Sequence, residues 1–164
     1  MPSGAKEFEE VALPYTGSLL RFALRLTRDT AAAEDLVQET LLSGWRHFGQ
    51  FERGTNARAW LFQILINFFR RSYRKERGRA AFVVLTPEVS SYARNELPEV
   101  NQALERIGED QRAVLLLAAV EGFTCKEISE ILSIPMGTVM SRLSRAREAM
   151  RAMLASGQKE QVTR

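Results

Sequence analysis

The chain has 164 residues, of which 45% are hydrophobic and 26% charged, and its formal net charge is +3. This composition is that of a globular protein rather than a disordered one. The single cysteine, Cys125, excludes an internal disulfide, and no apolar run is long enough to span a bilayer. Together with a polar, acidic start that is unlike a signal peptide, these features predict a cytoplasmic protein without membrane insertion.

Charge is distributed unevenly along the sequence. Residues 1–80 carry 13 Lys/Arg against 9 Asp/Glu, residues 81–111 carry 2 against 6, and residues 112–164 carry 8 against 5. Two basic blocks therefore flank an acidic segment. This pattern indicates two modules that touch a polyanion, joined by a connector that does not.

Helical periodicity dominates the first basic block. We expect a first helix just after Pro14, because the missing N–H of proline costs nothing in a first turn. A second helix opens with the alanine-rich stretch after Thr30 and runs to Phe48. Its predicted apolar stripe consists of Val37, Leu41, Trp45 and Phe48.

A third helix is predicted from about residue 57 to 77, after a loop that Gly49 and Gly54 interrupt. The residues expected to face inward are Trp60, Leu61, Ile64, Leu65 and Phe68. The outer face carries Gln63, Asn67, Arg71 and Arg74, and the helix ends in a basic run that suits a nucleic-acid backbone: Arg70, Arg71, Arg74, Lys75, Arg77 and Arg79.

Two features of this block allow more than one interpretation. Asn67 could bond an unpaired base, and Phe69 or Tyr73 could stack on one, although a core position is preferred for the aromatic rings. Asp35, Gln38 and Glu39 cluster on the second helix. They either bind a basic protein surface or simply complement the helix dipole.

The periodicity lapses between residues 81 and 97, where only Phe82–Thr86 resembles a strand. We therefore predict an all-α chain of two small helical domains. The first, residues 1–80, has three to four helices. An irregular linker follows over residues 81–97, and the second domain, residues 98–164, has four helices.

The four predicted helices of the second domain are Pro98–Ile107, Glu109–Glu121, Thr124–Leu132 and Pro135–Leu154. Gly108 and Gly122 stand where glycines commonly end a helix.

The last two helices have the features of a helix-turn-helix. Thr124 and Glu127 have the spacing of a capping box, and Gly137 would permit a close backbone approach. The inward residues are Ile128, Ile131 and Leu132 on one helix and Val139, Leu143, Ala146 and Met150 on the other. The outer face of the second helix carries Met140, Ser141, Ser144, Arg145 and Glu148.

This outer face suits duplex DNA, because a helix fits the major groove and serine or arginine side chains reach base edges there. Arg142, Arg147 and Arg151 lie nearer the flanks and suit phosphates. The alternative is an arginine-rich helix that is merely solvated.

The blocks "DLVQET…GWRHF", "GTNARAWLFQILIN…RRSYRK" and "VEGFTCKEISEILSIPMGTVMSRLSRAR" occur in this order. The chain thus resembles a bacterial extracytoplasmic-function (ECF, group 4) sigma factor. The resemblance implies an alternative RNA polymerase sigma factor that binds core polymerase, recognises the −35 and −10 elements of promoter DNA and promotes melting. It also implies control by an anti-sigma factor.

The resemblance also implies roles for individual residues. Core polymerase would be contacted at the β′ clamp helices and the β flap, with Asp35, Gln38 and Glu39 as core-binding residues. The −10 element would be bound by Gly54, Thr55, Asn56, Ala57, Arg58, Gln63, Asn67, Arg71 and Arg74. The −35 element would be bound by Met140, Ser141, Arg142, Ser144, Arg145 and Arg147.

Three alternatives compete with this interpretation. A conventional helix-turn-helix regulator would leave the "DLVQET" block unexplained, and a decoy that titrates an anti-sigma factor would be expected to lose its DNA-facing residues. An enzyme is disfavoured, because Ser72 and Lys75 form a Ser-x-x-Lys pattern without companion motifs and His47 is the only histidine. We therefore expect no catalytic residues, cofactor, metal or small-molecule substrate, and we expect Cys125 to be a small packed residue.

Overall fold

The computed structural model describes residues 2–79 and 98–162. Within these ranges the chain is helical and contains no strand, which confirms the all-α prediction. The chain divides into two compact units, a first unit (Met1–Val89) and a second unit (Ser90–Arg164). The predicted linker and the strand candidate Phe82–Thr86 lie outside the described residues, so the predicted domain boundaries stay a prediction.

The first unit contains three helices that share one core. They are α1 (Pro2–Thr27), α2 (Thr30–His47) and α3 (Ala57–Arg79), and a 3-10 turn (Phe48–Gln50) follows α2. α1 packs against both other helices. The largest fully buried side chains at their junction are Leu19, Phe22, Leu61, Phe62, Leu65 and Ile66.

The predicted start of the first helix is wrong. α1 begins at Pro2, and Pro14 lies inside it with an exposed side chain. An interior proline removes a hydrogen bond and costs a helix about 3 kcal/mol. Packing offsets this cost here, because Phe8 and Ala12 are buried upstream of Pro14.

The predicted apolar stripe of α2 is only partly right. Val37 is buried and Leu41 and Phe48 are half-buried, but Trp45 is 52% exposed. The other buried residues of the helix are Ala33, Leu36, Thr40 and Gly44. Small residues carry this packing: a Cβ added to Gly44 would lie only 3.2 Å from the ring of Phe8 and 3.3 Å from the side chain of Leu61. α2 therefore packs on the core mainly through its small residues, and part of its apolar surface faces solvent.

On α3 the predicted inward face is only partly right. Leu61 and Leu65 are buried, but the remaining core positions are Phe62, Ile66 and Phe69, while Trp60, Ile64 and Phe68 are only half-buried. Phe69 is 8% exposed, so it belongs to the core, as preferred above. Tyr73 is half-buried beside it, with 5.9 Å between the ring centroids.

The second unit has the four helices that the sequence predicts, α4 (Pro98–Arg106), α5 (Glu109–Ala119), α6 (Cys125–Leu132) and α7 (Met136–Val162). Their bounds agree with the prediction to within a few residues, except that α7 continues past Leu154.

One of the two predicted helix-ending glycines is correct. Gly122 has a φ of +71° after α5, as expected of a C′ glycine. Gly108 has a φ of −56° and is the N-cap of α5 instead. The end of α4 is held by the Arg112 guanidinium, which donates to the carbonyls of Leu104 (2.8 Å), Glu105 (3.2 Å) and Ile107 (3.1 Å).

The packing of Phe8 predicts that the upstream part of α1 is essential to the first unit. Phe8→Ala should lower the free energy of unfolding by about 3–5 kcal/mol, because it removes a buried aromatic ring. Leu13→Ala on the same helix removes a leucine that is 61% exposed, and it should change stability by less than about 0.5 kcal/mol.

Denaturant titration followed by tryptophan fluorescence measures this effect, because both tryptophans, Trp45 and Trp60, belong to the first unit. Equal and small effects of the two substitutions would contradict an essential role for Phe8.

Candidate nucleic-acid interface

The turn between α6 and α7 is fixed by local hydrogen bonds. The Glu127 N–H donates to Thr124 Oγ1 (3.2 Å), and the Thr124 N–H donates to Glu127 Oε2 (2.8 Å), which confirms the predicted capping box. At the other end of α6, Ser133 adopts a left-handed φ of +53°. The Ser129 hydroxyl then donates to the carbonyl of Ile134 (2.6 Å), so α6 and the turn are tied together.

α7 begins immediately after Pro135, whose carbonyl accepts hydrogen bonds from the N–H groups of Thr138 (3.0 Å) and Val139 (3.1 Å). No described part of the chain approaches Gly137 closely, because a Cβ there would meet nothing within 4 Å, so the close approach stays a prediction. The predicted buried stripe is correct: Val139, Leu143 and Ala146 are buried and Met150 is half-buried.

The predicted outer face of α7 points to solvent. Met140, Ser141, Ser144, Arg145 and Glu148 are all exposed, and so is Arg147. Arg142 differs from these residues: its side chain is 26% exposed, and its Nη2 lies 3.3 Å from Oδ2 of Asp110 on α5. A single helix face thus combines an apolar side chain, two hydroxyls and an arginine, which are groups able to contact base edges.

α3 presents a second polar face, in the first unit. Asn67, Arg71 and Arg74 are exposed and Gln63 is half-buried. The Arg71 guanidinium carbon lies 5.9 Å from the centroid of the Phe68 ring. This arrangement places cationic, hydrogen-bonding and aromatic groups along one helix, as single-stranded nucleic acid requires.

The loop before α3 is held by its own residues. Asn56 Oδ1 accepts from the N–H of Ala59 (3.0 Å) and thereby caps α3, while the Thr55 hydroxyl donates to the carbonyl of Glu52 (2.7 Å). Gly54 has a φ of +87° with open space where a side chain would be. The Arg58 guanidinium carbon lies 5.4 Å from the centroid of the Phe62 ring. The five predicted loop residues therefore form one exposed to half-buried segment, and Ala57 is its first helical residue.

An aromatic series that was not predicted from the sequence lies beside this loop. Consecutive ring centroids are 5.4 Å apart for Phe8 and Phe48, 5.9 Å for Phe48 and Phe51, and 4.8 Å for Phe51 and Trp60. A surface groove lies beside it, lined by Gly4, Ala5, Glu7, Trp45, Phe48, Gly49, Phe51 and Arg53. The aromatic residues on both sides of Gly49 could have indicated this series from the sequence. Trp45 and Phe48 were instead assigned to the apolar stripe of α2.

The outward face of α2 is a mixed polar and apolar surface. Asp35, Gln38 and Glu39 are exposed on it, as predicted. Leu42 and Trp45, which were not predicted on this face, are 46% and 52% exposed. Leu42 lies four residues after Gln38 and three after Glu39, so these side chains are neighbours on the helix surface. The spacing of Leu42 from Gln38 and Glu39 could have indicated from the sequence that Leu42 lies on this face.

Comparison with known proteins assigns both units to one family. The Sigma-70 region 2 model matches residues 13–79, and the Sigma-70 region 4 model matches residues 97–150. The ECF RNA polymerase sigma factor EcfG of Rhodopseudomonas palustris is 37% identical, over 84% of this chain and 79% of that protein. The ECF RNA polymerase sigma factor SigL of Mycobacterium tuberculosis is 40% identical, over 83% and 82%.

The chain is an ECF sigma factor. Among solved structures it is similar to the sigma factor RpoE of Bartonella quintana in complex with the anti-sigma factor NepR. The two chains are 34% identical with a TM-score of 0.80, and the match covers 92% of this chain and 98% of RpoE.

The candidate surfaces of this ECF sigma factor fall inside the matched regions. α2, the loop and α3 belong to region 2, whereas α6 and the outer face of α7 belong to region 4. The first turns of α1, including Phe8, precede the match to region 2.

Neither a membrane span nor a metal site is found in the described part of this ECF sigma factor. None of its described helices is long and apolar enough to cross a membrane. Across the same residues, no three His, Cys, Asp or Glu side chains are grouped so that they could hold a metal ion. Cys125 is half-buried at the start of α6.

Proposed function

We propose that this ECF sigma factor binds core RNA polymerase, recognises a −35 element as duplex DNA through its second unit, and captures the −10 element as a single strand through its first. The observation that carries the proposal is that regions 2 and 4 occur in one chain, and each leaves one polar helix face exposed. Recognition and melting, rather than bond formation, are then the task of the protein.

Duplex recognition is assigned to α7. The helix has the width that the major groove admits, and the short side chains of Ser141 and Ser144 let it approach the bases. Arg145 can donate two hydrogen bonds to a guanine, and Met140 can contact a thymine methyl group. Arg147 lies on the flank and suits a phosphate, which positions the helix without reading sequence.

Single-strand capture is assigned to the loop before α3 and to α3 itself. Extruding a base costs a few kcal/mol of stacking, which contacts in the protein must offset. Asn67 can bond a base edge, and Arg71 and Arg74 can contact phosphates. Phe48 and Phe51 are half-buried rings close to the loop, and they offer the stacking surface that the buried Phe69 does not.

Docking on core polymerase is assigned to the outward face of α2. Asp35 and Glu39 would be repelled by DNA, so a protein partner with basic side chains suits them better. Leu42 and Trp45 add exposed apolar area on the C-terminal side of these polar groups. Protein interfaces usually combine apolar and polar surface in this way.

Control by an anti-sigma factor is the remaining part of the proposal. It is supported by the similarity to RpoE, which was solved in complex with the anti-sigma factor NepR. Such a partner would act by covering the faces that polymerase and DNA require.

Reconstituted transcription tests the proposed function. The purified chain is mixed with bacterial core polymerase and a random promoter library, and the transcripts are sequenced. We expect start sites that share an upstream and a downstream element at a fixed spacing. No transcripts above those of core enzyme alone would contradict sigma activity. A duplex-binding assay without polymerase would then separate a conventional regulator, which binds, from a decoy, which does not.

The α2 face generates a separate prediction. Leu42→Glu should weaken binding to core polymerase about ten-fold or more, because it buries a charge in an apolar contact. Leu13→Glu introduces the same charge at an exposed leucine of α1 and should leave core affinity unchanged. Affinity is measured with labelled sigma factor and core enzyme, and tryptophan fluorescence verifies that both variants are folded. Equal losses of affinity in the two variants would contradict docking through α2.

A further inference from the structure

Arg142 is held differently from the other arginines of α7. Arg145, Arg147 and Arg151 are exposed, whereas the Arg142 side chain is 26% exposed and its Nη2 lies 3.3 Å from Oδ2 of Asp110. The Asp110 side chain is 59% exposed, so the pair lies at the surface. A phosphate approaching this flank of α7 would compete with Asp110 for the same guanidinium.

The position of Asp110 in the fold does not depend on Arg142. Asp110 is in the first turn of α5, where a negative charge is favourable because the helix dipole is positive there. The N-cap of α5, Gly108, provides no side-chain hydrogen bond. Asp110 would therefore remain in place and hydrated if Arg142 moved to another partner, and no buried charge would be left behind.

An exposed ion pair is a weak competitor. Pairs of this kind typically change an equilibrium by about 1.4- to five-fold. A phosphate offers the same guanidinium a charge-assisted contact and releases counterions from the DNA. Asp110 also presents its own negative charge to the polyanion. The pair is thus strong enough to reduce duplex binding and too weak to prevent it.

We propose that Asp110 is an electrostatic brake on duplex binding by region 4, acting by withholding Arg142 from the DNA backbone. The inference rests on the assignment of α7 to duplex DNA. Because a phosphate contact adds affinity for every sequence alike, the brake lowers the sequence-independent part of binding. It would reduce the time that the free sigma factor spends on the large excess of non-promoter DNA in a genome.

A double-mutant cycle on the full chain tests the brake. Fluorescence anisotropy measures binding to a labelled, mixed-sequence duplex over a range of salt concentrations, for the unmodified chain, Asp110→Asn, Arg142→Gln and the double variant. Asp110→Asn should bind about two- to five-fold more tightly at low salt. Its salt dependence should steepen by at most about one phosphate contact. In the Arg142→Gln background the same substitution should have a clearly smaller effect, because only the repulsion between Asp110 and the polyanion is then removed.

Glu148→Gln is the matched control, because it removes one negative charge from the exposed face of the same helix. Its effect should be the same with and without Arg142. The brake is overturned if Asp110→Asn binds as the unmodified chain does, whether both bind well or poorly. It is also overturned if Asp110→Asn retains its full effect in the Arg142→Gln background, since Asp110 would then act only through net charge.

Circular dichroism before each titration verifies that the variants are folded. The assay contains no polymerase, so its result is independent of transcription. If Asp110→Asn does not have the expected effect while promoter-dependent transcription is intact, only this inference is contradicted. If transcription is absent, the sigma function itself is contradicted.

Discussion

Burial of Val139, Leu143 and Ala146 fixes the rotation of α7 about its own axis, and everything that the second unit can do to DNA depends on that rotation. The buried stripe directs Met140, Ser141, Ser144 and Arg145 to the opposite side. The capping box of α6 and the left-handed Ser133 hold the preceding turn. Because packed interiors resist rotation of their helices, the exposed face is pre-organised for a rigid groove.

In the first unit, packing in the core fixes the rotation of two helices, α2 and α3. Leu61, Leu65 and Ile66 anchor α3, and Leu36 with Gly44 anchors α2. The opposite faces then differ in charge: α3 is basic along its outer side, whereas α2 exposes carboxylates together with apolar side chains. One small core therefore supports a surface suited to nucleic acid and another suited to protein.

The buried face of a helix was predicted correctly from the sequence only where large apolar residues at helical spacing form that face. The α7 stripe repeats large and medium apolar residues at helical spacing, so its buried face was predicted correctly. On α2 the packing depends on Ala33 and Gly44, which have little weight in an apolar pattern, and Trp45 was therefore wrongly predicted to face the core. Pro14 favoured a helix start at that position, but the burial of Phe8 stabilises a helix that begins upstream of it. The pairing of Asp110 with Arg142 joins two helices far apart in sequence, so no local pattern encodes it.

The central claim is that the two units recognise different forms of DNA. The most direct measurement is the affinity of the holoenzyme for two separate probes taken from one promoter, a duplex that contains only the upstream element and a single strand that contains only the downstream element. We predict that Arg145→Ala weakens binding to the duplex alone, whereas Asn67→Ala weakens binding to the single strand alone. If each substitution weakened binding to both probes equally, or if the effects were reversed, the assignment of duplex and single-strand recognition to separate units would be contradicted.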